Sequence, residues 1–326
     1  MNMETILLIL GGLGLFLYAI SHMSDVLKEL LGDKAKMILS KCTRNLFTAI
    51  LTGIIITLIL DSSSAVIIMA IVLVKAKALT FRQAIGIVLG ANIGTTFSSQ
   101  LIALDIGKFS PIPIFVGMLL VFFSKAVWVT QTGRAIIYFG ILFFGLYTME
   151  RGVEPFKDNP QFAEWMLKME SPFTGAGTGA LVTLIIQSSS ATVGMVITLA
   201  KKGLITLSAG IAVMLGAELG TCADTLLATI KSNRQALKTG LFHLFFNITT
   251  ILTALLVFPL FIKLVISVSG KAELQQMVAN AHMLFNILGV VLALPFVGIA
   301  ERALNKLLPD KEPHNEKPVQ SLQVLQ

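Results

Sequence analysis

Slid along itself by 126 positions, this chain meets itself again. Residues 53–95 align with residues 179–221 without a gap, and 19 of the 43 pairs are identical. The matches include Gly53/Gly179, Thr57/Thr183, Met69/Met195, Lys75/Lys201, Thr80/Thr206, Gly90/Gly216, Gly94/Gly220 and Thr95/Thr221. They also include a polar knot, Asp61-Ser62-Ser63-Ser64-Ala65 in the first copy and Gln187-Ser188-Ser189-Ser190-Ala191 in the second. Shared apolar composition does not put Ser-Ser-Ser and Gly-Ala-x-x-Gly-Thr in register. Any fold must therefore build one unit twice. Leu17-Tyr18 and Leu146-Tyr147 extend the repeat to the preceding segment.

The surroundings of the knots fix the solvent. Mean hydropathy of +0.83, with 55% hydrophobic and 13% charged residues, excludes an ordinary soluble domain. Several stretches reach membrane-spanning length, so the expected class is an all-α polytopic membrane protein. Met1-Asn-Met-Glu-Thr lacks a basic n-region, so residues 5–20 read as a retained helix, not a cleaved signal. The net charge of +7 lies in short loops between oily segments, the first of them expected after residue 20 with Lys28, Lys34, Lys36, Lys41 and Arg44. Charge placed there sets orientation and does not point to nucleic acid. Cys42 and Cys222 stand in unrelated contexts, which indicates neither a disulfide framework nor a metal site.

In chain order, residues 46–60 and 65–74 are each too short to cross the bilayer. They flank the first knot and read as a re-entrant hairpin over about 46–77. Residues 80–104 follow, interrupted at Gly90-Ala-Asn92-Ile-Gly94-Thr95-Thr96, which reads as a broken helix. Full spans are expected at 112–130 and 134–149, then a polar extramembrane linker at 150–171. The second copy gives a hairpin at about 172–202 and a broken helix at about 206–229, interrupted at Gly216-Ala-Glu218-Leu-Gly220-Thr221. Spans at 238–264 and 277–298 and a polar tail complete the pattern. The resulting division is a first repeat at 1–133, the opening helix of the second at 134–149, the linker, the second repeat at 172–300 and a tail at 301–326.

Parity sets the topology. If each hairpin returns to its own side, three crossings separate the repeats, and the second is inverted relative to the first. On that arrangement sixteen Lys and Arg lie on one side and eight on the other. The richer side should be cytoplasmic, which places the C-terminus inside.

Each serine triplet then opens a half-helix, where free N–H groups, the positive helix end and the hydroxyls favour an anion. Two tips facing each other near the midplane would form an anion cradle. Asn92, Glu218, threonine hydroxyls and unwound carbonyls would supply oxygen ligands for a hard monovalent cation. The bland alternatives are helix packing for the small residues and an interhelical hydrogen bond for His243-x-x-x-Asn247 and His282-x-x-x-Asn286.

With those motifs, the sequence resembles the type II sodium–phosphate cotransporter family over roughly residues 5–300. The resemblance implies sodium-coupled symport of inorganic phosphate, with no cofactor beyond sodium as coupling ion and no enzymatic activity. It implies phosphate at Ser62, Ser63, Ser64, Ser188, Ser189 and Ser190. Cations are expected at Gln187, Asn92, Thr95, Thr96 and Thr221. Two residues depart from the pattern: Asp61 stands where the family has Gln, and Glu218 where it has Asn. Each carboxylate beside an anion site is read as a cation or proton ligand. The partners are inorganic phosphate, sodium and the bilayer of a bacterial inner membrane, and the chain is compatible with a homo-oligomer. A symporter of another small oxyanion shares nearly every feature. An anion channel is disfavoured by paired hairpins. A membrane serine hydrolase lacks a base beside the triplets.

Overall fold

A computed structural model describes residues 3–230 and 232–309. The described residues form helices joined by short turns, with no strand among them. Six helical stretches are long and apolar enough to cross a membrane: Met3–Cys42, Phe81–Ala103, Val127–Asp158, Leu207–Leu227, Arg234–Leu256 and Leu274–Leu307. The protein is an integral, multi-pass, all-α membrane protein.

The first hairpin consists of α2 (Leu46–Leu60) and α3 (Ser63–Lys75), and the second of α8 (Pro172–Ile186) and α9 (Ser189–Lys201). A fifteen-residue helix such as α2 rises about 22 Å, short of the roughly 30 Å hydrocarbon core. Packing shows that both hairpins return. α2 runs beside α4 (Phe81–Ala103) in the same direction, with Gly86 against Ala49, Gly90 against Ile50 and Gly94 against Thr57. Gln83 Nε2 donates to the Thr43 carbonyl at 2.6 Å, so α2 and α4 begin together. α3 ends only a short turn before α4. In the second half α8 lies along α10 (Leu207–Gly220) in the same way, with Gly216 against Ala176 and Gly220 against Thr183.

The same contacts correct one expectation. α4 is a continuous helix through Gly90–Thr96, with no unwound segment. The glycines serve close approach. A Cβ on Gly90 would lie 2.0 Å from the Ile50 carbonyl oxygen, and one on Gly216 1.8 Å from that of Ala176. In the second half the interruption is limited to Thr221, between α10 and α11 (Cys222–Leu227), with helical dihedrals of φ −65°, ψ −23°. Packing against a neighbouring backbone, not unwinding, explains these glycines.

Four boundaries also differ from the sequence reading. α1 (Met3–Cys42) continues through the basic stretch expected as a loop. That stretch is rich in helix formers and carries Asp25–Lys28 and Asp33–Lys36 pairs one turn apart, both at 3.2 Å. The span expected at 112–130 is α5 (Pro111–Phe123), a turn holding the exposed Lys125, and the start of α6 (Val127–Val153). Small residues drive that turn: α5 and α6 lie antiparallel with Gly117 and Gly133 in mutual contact. The linker at 150–171 holds the end of α6 and a short helix, α7 (Pro160–Lys168). The expected 238–264 span divides into α12 (Arg234–Leu256) and α13 (Phe258–Ser269), because Pro259 cannot donate to the preceding turn. α14 (Leu274–Ala293) and α15 (Val297–Leu307) follow, and the tail beyond Pro309 lies outside the described residues.

Two polar contacts relate the halves. Just beyond the end of α4, Asp105 meets Lys201 Nζ at 2.5 Å, so α10 starts where α4 finishes. Asn233 Nδ2 donates to the Lys75 carbonyl at 3.2 Å, so α12 starts where α4 starts. The two α2/α3/α4 and α8/α9/α10 units therefore run in opposite directions. Lys201 also meets Glu150 at 2.5 Å. Burial alone would lower its pKa, but the Asp105 and Glu150 carboxylates outweigh that and hold it above the usual lysine value.

Candidate functional site

The two knots fold alike. Asp61 (φ 51°, ψ 33°) and Gln187 (φ 60°, ψ 30°) each occupy the left-handed region at the end of a first half-helix. The next residues, Ser62 and Ser188, are extended and cap the second half-helix. Their Oγ atoms accept from the Ala65 and Ala191 amides, both at 3.2 Å. A left-handed glutamine costs about 1 kcal/mol, so Gln187 carries local strain at its tip. The remaining N–H groups of the first turns of α3 and α9 are available to a ligand. Ser63, Ser189 and Ser190 are buried, Ser62, Ser64 and Ser188 are half-buried, and Gln187 is exposed.

No hydrogen bond joins the two triplets among the described residues. What reaches the first tip comes instead from the long helices of both halves. Ser98 of α4 donates to the Asp61 carboxylate, and α11, which carries Asp224, packs against α3. Residues 98 and 224 are equivalent under the 126-residue shift. The acid thus falls on the tip in one half, at Asp61, and on the long helix in the other, at Asp224. Thr57, one turn before Asp61, packs on Gly94, one turn before Ser98. Its buried hydroxyl has no hydrogen-bond partner. In the second copy Thr183 donates to Thr192 at 2.7 Å, and the first copy has Val66 at that position.

The cation candidates on the long helices are all buried. Asn92 donates to the Val88 carbonyl at 3.0 Å and Thr95 to that of Ala91 at 3.0 Å. Thr96 donates to Ile93 at 2.7 Å and Thr221 to Ala217 at 3.2 Å. These groups satisfy their own helices, while each hydroxyl oxygen keeps lone pairs for a cation. The unwound carbonyls expected beside Asn92 are absent, because α4 is intact there.

Glu218 is engaged elsewhere. Its Oε1 meets His282 Nε2 at 2.9 Å, and His282 Nδ1 meets Ser99 Oγ at 2.7 Å. With Nε2 donating to the carboxylate, Nδ1 accepts the serine hydroxyl. The chain continues from the Glu218 carbonyl to Asn247 Nδ2 at 3.2 Å, and from Asn247 to His243 Nε2 at 3.1 Å. It ends at Thr225 Oγ1, 2.9 Å from His243 Nδ1. Both His-x-x-x-Asn pairs thus make interhelical hydrogen bonds. The order Ser99–His282–Glu218 has the sequence of groups of a hydrolytic triad, and with Ser99 1% exposed and His282 0% it lies in the interior as a link between helices. Ser98, Ser99, Asp224 and Thr225 were not singled out from sequence. Their signal was present: two consecutive polar positions at the same offset past Gly-Thr in both copies.

Serine-tipped hairpins packed on long polar helices, duplicated in opposite directions in a multi-pass membrane protein, define a helical membrane protein with a paired polar centre. The chain belongs to the Na+/Pi-cotransporter family, whose model matches residues 15–151 and 155–296. It is 28% identical over 314 residues to Bacillus subtilis YqeW, described as uncharacterized, covering 94% of this chain and all of that protein. It is 25% identical over 316 residues to Escherichia coli YjbB, described as a putative inorganic phosphate export protein. That match covers 95% of this chain, which spans only 57% of YjbB. Over 134 residues it is 30% identical to human sodium-dependent phosphate transport protein 2B, covering 38% of this chain and 19% of that protein. No solved structure matches.

Proposed function

We propose that this protein is a secondary active transporter that moves inorganic phosphate together with sodium. The observation that carries this reading is the pair of matched tips, Ser62–Ser64 and Ser188–Ser190. Each opens a helix with free amides and hydroxyls in a protein of the Na+/Pi-cotransporter family. Phosphate is held by the two triplets. Sodium takes oxygens near the first tip, from Asp61 and the Thr57 hydroxyl, with Gln187, Asn92, Thr95, Thr96 and Thr221 as further donors. Glu218 leaves that set because its carboxylate is held by His282. A cation at Asp61 offsets the repulsion that this carboxylate and Asp224 would exert on phosphate.

The opposed directions of α4 and α10 support inverted repeats with hairpins that enter the bilayer from opposite sides. The face bearing the start of α4 and the end of α15 carries the richer basic set and is read as cytoplasmic. The relatives' names point both ways on direction, one to export and one to sodium-dependent transport.

Purified protein in proteoliposomes, given radiolabelled phosphate, should show flux stimulated by a sodium gradient and competed by arsenate more than by sulfate. Flux indifferent to sodium would remove the coupling, and absence of phosphate flux from folded protein would remove the substrate. Ser63→Ala and Ser189→Ala should each lower phosphate flux about tenfold or more, equivalent to a lost 1.4 kcal/mol contact. Asp61→Gln should change the cation dependence while leaving the protein folded. An identical sodium response in wild type and variant would take Asp61 out of the cation site.

A further inference from the structure

The second hairpin is anchored at its base by charge, and the first is not. α9 ends at Lys201, with Lys202 as its cap, on the face of the protein where α4 and α6 also end. Lys201 Nζ lies 2.5 Å from Asp105 and 2.5 Å from Glu150. Lys202 Nζ lies 3.0 Å from Glu150 and 4.0 Å from Glu154. Both lysine side chains are 23% exposed and Glu150 is 14% exposed, so the centre of the cluster is largely withdrawn from water. An isolated exposed ion pair contributes little. Here Lys201 and Glu150 each serve two partners, so ordering one side chain supports two contacts.

The 126-residue repeat supplies the contrast. Lys75 occupies the position of Lys201, and Ala76 that of Lys202. Lys75 is exposed, and its ammonium meets no carboxylate among the described residues. The first base is held instead by a neutral contact, from Asn233 Nδ2 to the Lys75 carbonyl at 3.2 Å. The charged base is also linked mechanically to its tip. α9 is an unbroken helix of thirteen residues from Ser189 to Lys201, about 20 Å long. Thr183 of α8 donates to Thr192 of α9 at 2.7 Å, which joins the two arms of this hairpin one turn from the tip. A displacement at Lys201 is therefore carried to the second serine triplet.

We infer that Lys201 and Lys202, with Asp105, Glu150 and Glu154, form an ion-pair latch that fixes the second serine tip through α9. The latch ties a hairpin of the second half to the end of α4, in the first half, and to α6. Its hold does not depend on what the tips bind. On the transport reading above, it keeps the second tip closed until a cation is bound, so that phosphate does not move alone. Both lysines are positioning residues, a helix length away from the tip.

The test is hydrogen exchange in detergent-solubilised protein, read at residues 187–192 and, as an internal reference, at 61–66. Lys201→Gln/Lys202→Gln should speed exchange at 187–192 about tenfold or more and leave 61–66 within about twofold of wild type. Lys201→Arg/Lys202→Arg, which keeps the charge, should exchange as wild type does, and Lys75→Gln should leave both tips unchanged. In proteoliposomes the glutamine variant should pass phosphate in the absence of sodium, and wild type and the arginine variant should not. Equal exchange at 187–192 in wild type and the glutamine variant would overturn the latch. Faster exchange at both tips with a lowered unfolding temperature would make the cluster a general brace and overturn it too. Faster exchange at the second tip alone, with phosphate flux still requiring sodium, would overturn its role in coupling. Wild-type protein that carries no phosphate would remove the transport reading and leave the exchange comparison to decide the latch.

Discussion

Gly216→Ala should yield little folded protein, although it adds a single methyl group. A Cβ there would lie 1.8 Å from the Ala176 carbonyl oxygen and 2.5 Å from its carbon, with only backbone in the way. Flexible side chains can move aside, but a helix backbone in contact along its length cannot. α8 and α10 would have to separate, and Gly179 on the facing helix, 1.9 Å from the Val213 carbonyl by the same construction, shares that seam. Overpacking of a core ordinarily costs about 1–3 kcal/mol, and a backbone–backbone clash belongs at or beyond the upper end. Gly90→Ala should behave alike in the first half, where the corresponding distance to the Ile50 carbonyl is 2.0 Å. Gly177→Ala is the matched control: the same change on the facing helix α8, with nothing within 4 Å of the new methyl. It should change stability by less than about 0.5 kcal/mol. Thermal unfolding and size-exclusion profiles in detergent decide the comparison. A Gly216→Ala protein as stable as Gly177→Ala would show that the two helices are not in backbone contact.

The same glycines mark where sequence reasoning reached its limit. The repeated motifs and the lengths of the hairpin helices were legible because they depend on identity at a fixed offset and on segment length. α2 and α8 match their expected bounds closely. Glycine, however, carries the same letter whether it breaks a helix or lets another backbone touch it. Near Asn92 the polar neighbours favoured a break, and helix contact decided otherwise. Lys28 to Lys41 misled in the opposite sense. Charge density suggested a loop, yet acid–base pairs at helical spacing support a continuation of α1. The tips were legible down to their unequal residues, Asp61 and Gln187. Ser98 and Asp224 carried only a matched polar offset past Gly-Thr as a signal, and three-dimensional packing alone brings a residue 37 positions away onto Asp61.

Removing either member of the Glu218–His282 pair should destabilise the protein by about 3–5 kcal/mol, and removing both should cost much less than the sum. Glu218 is 3% exposed and His282 0%, so neither can turn to water when its partner is lost. Glu218→Ala leaves an imidazole held only by Ser99. His282→Ala leaves a carboxylate without its donor in the interior, which is the more severe loss. The double variant Glu218→Leu/His282→Leu removes both polar groups at once and exchanges them for packing. A double-mutant cycle measured by unfolding in detergent isolates the coupling. Interhelical hydrogen bonds between neutral groups in membrane proteins average about 0.6 kcal/mol, so a coupling above about 2 kcal/mol identifies a carboxylate–imidazole pair acting as a unit. That pair joins α4, α10 and α14, and through the Glu218 carbonyl and Asn247 it reaches α12. One end of this buried chain, Ser99, adjoins Ser98, which holds the first serine tip through Asp61, and the other, Thr225, lies on α11, which packs against α3. Loss of Glu218 should therefore also loosen the tip, read as faster hydrogen exchange at residues 61–66 than in the wild type. Additive single effects would dismiss the pair as a unit. An unchanged tip in Glu218→Ala would confine it to holding the helices together.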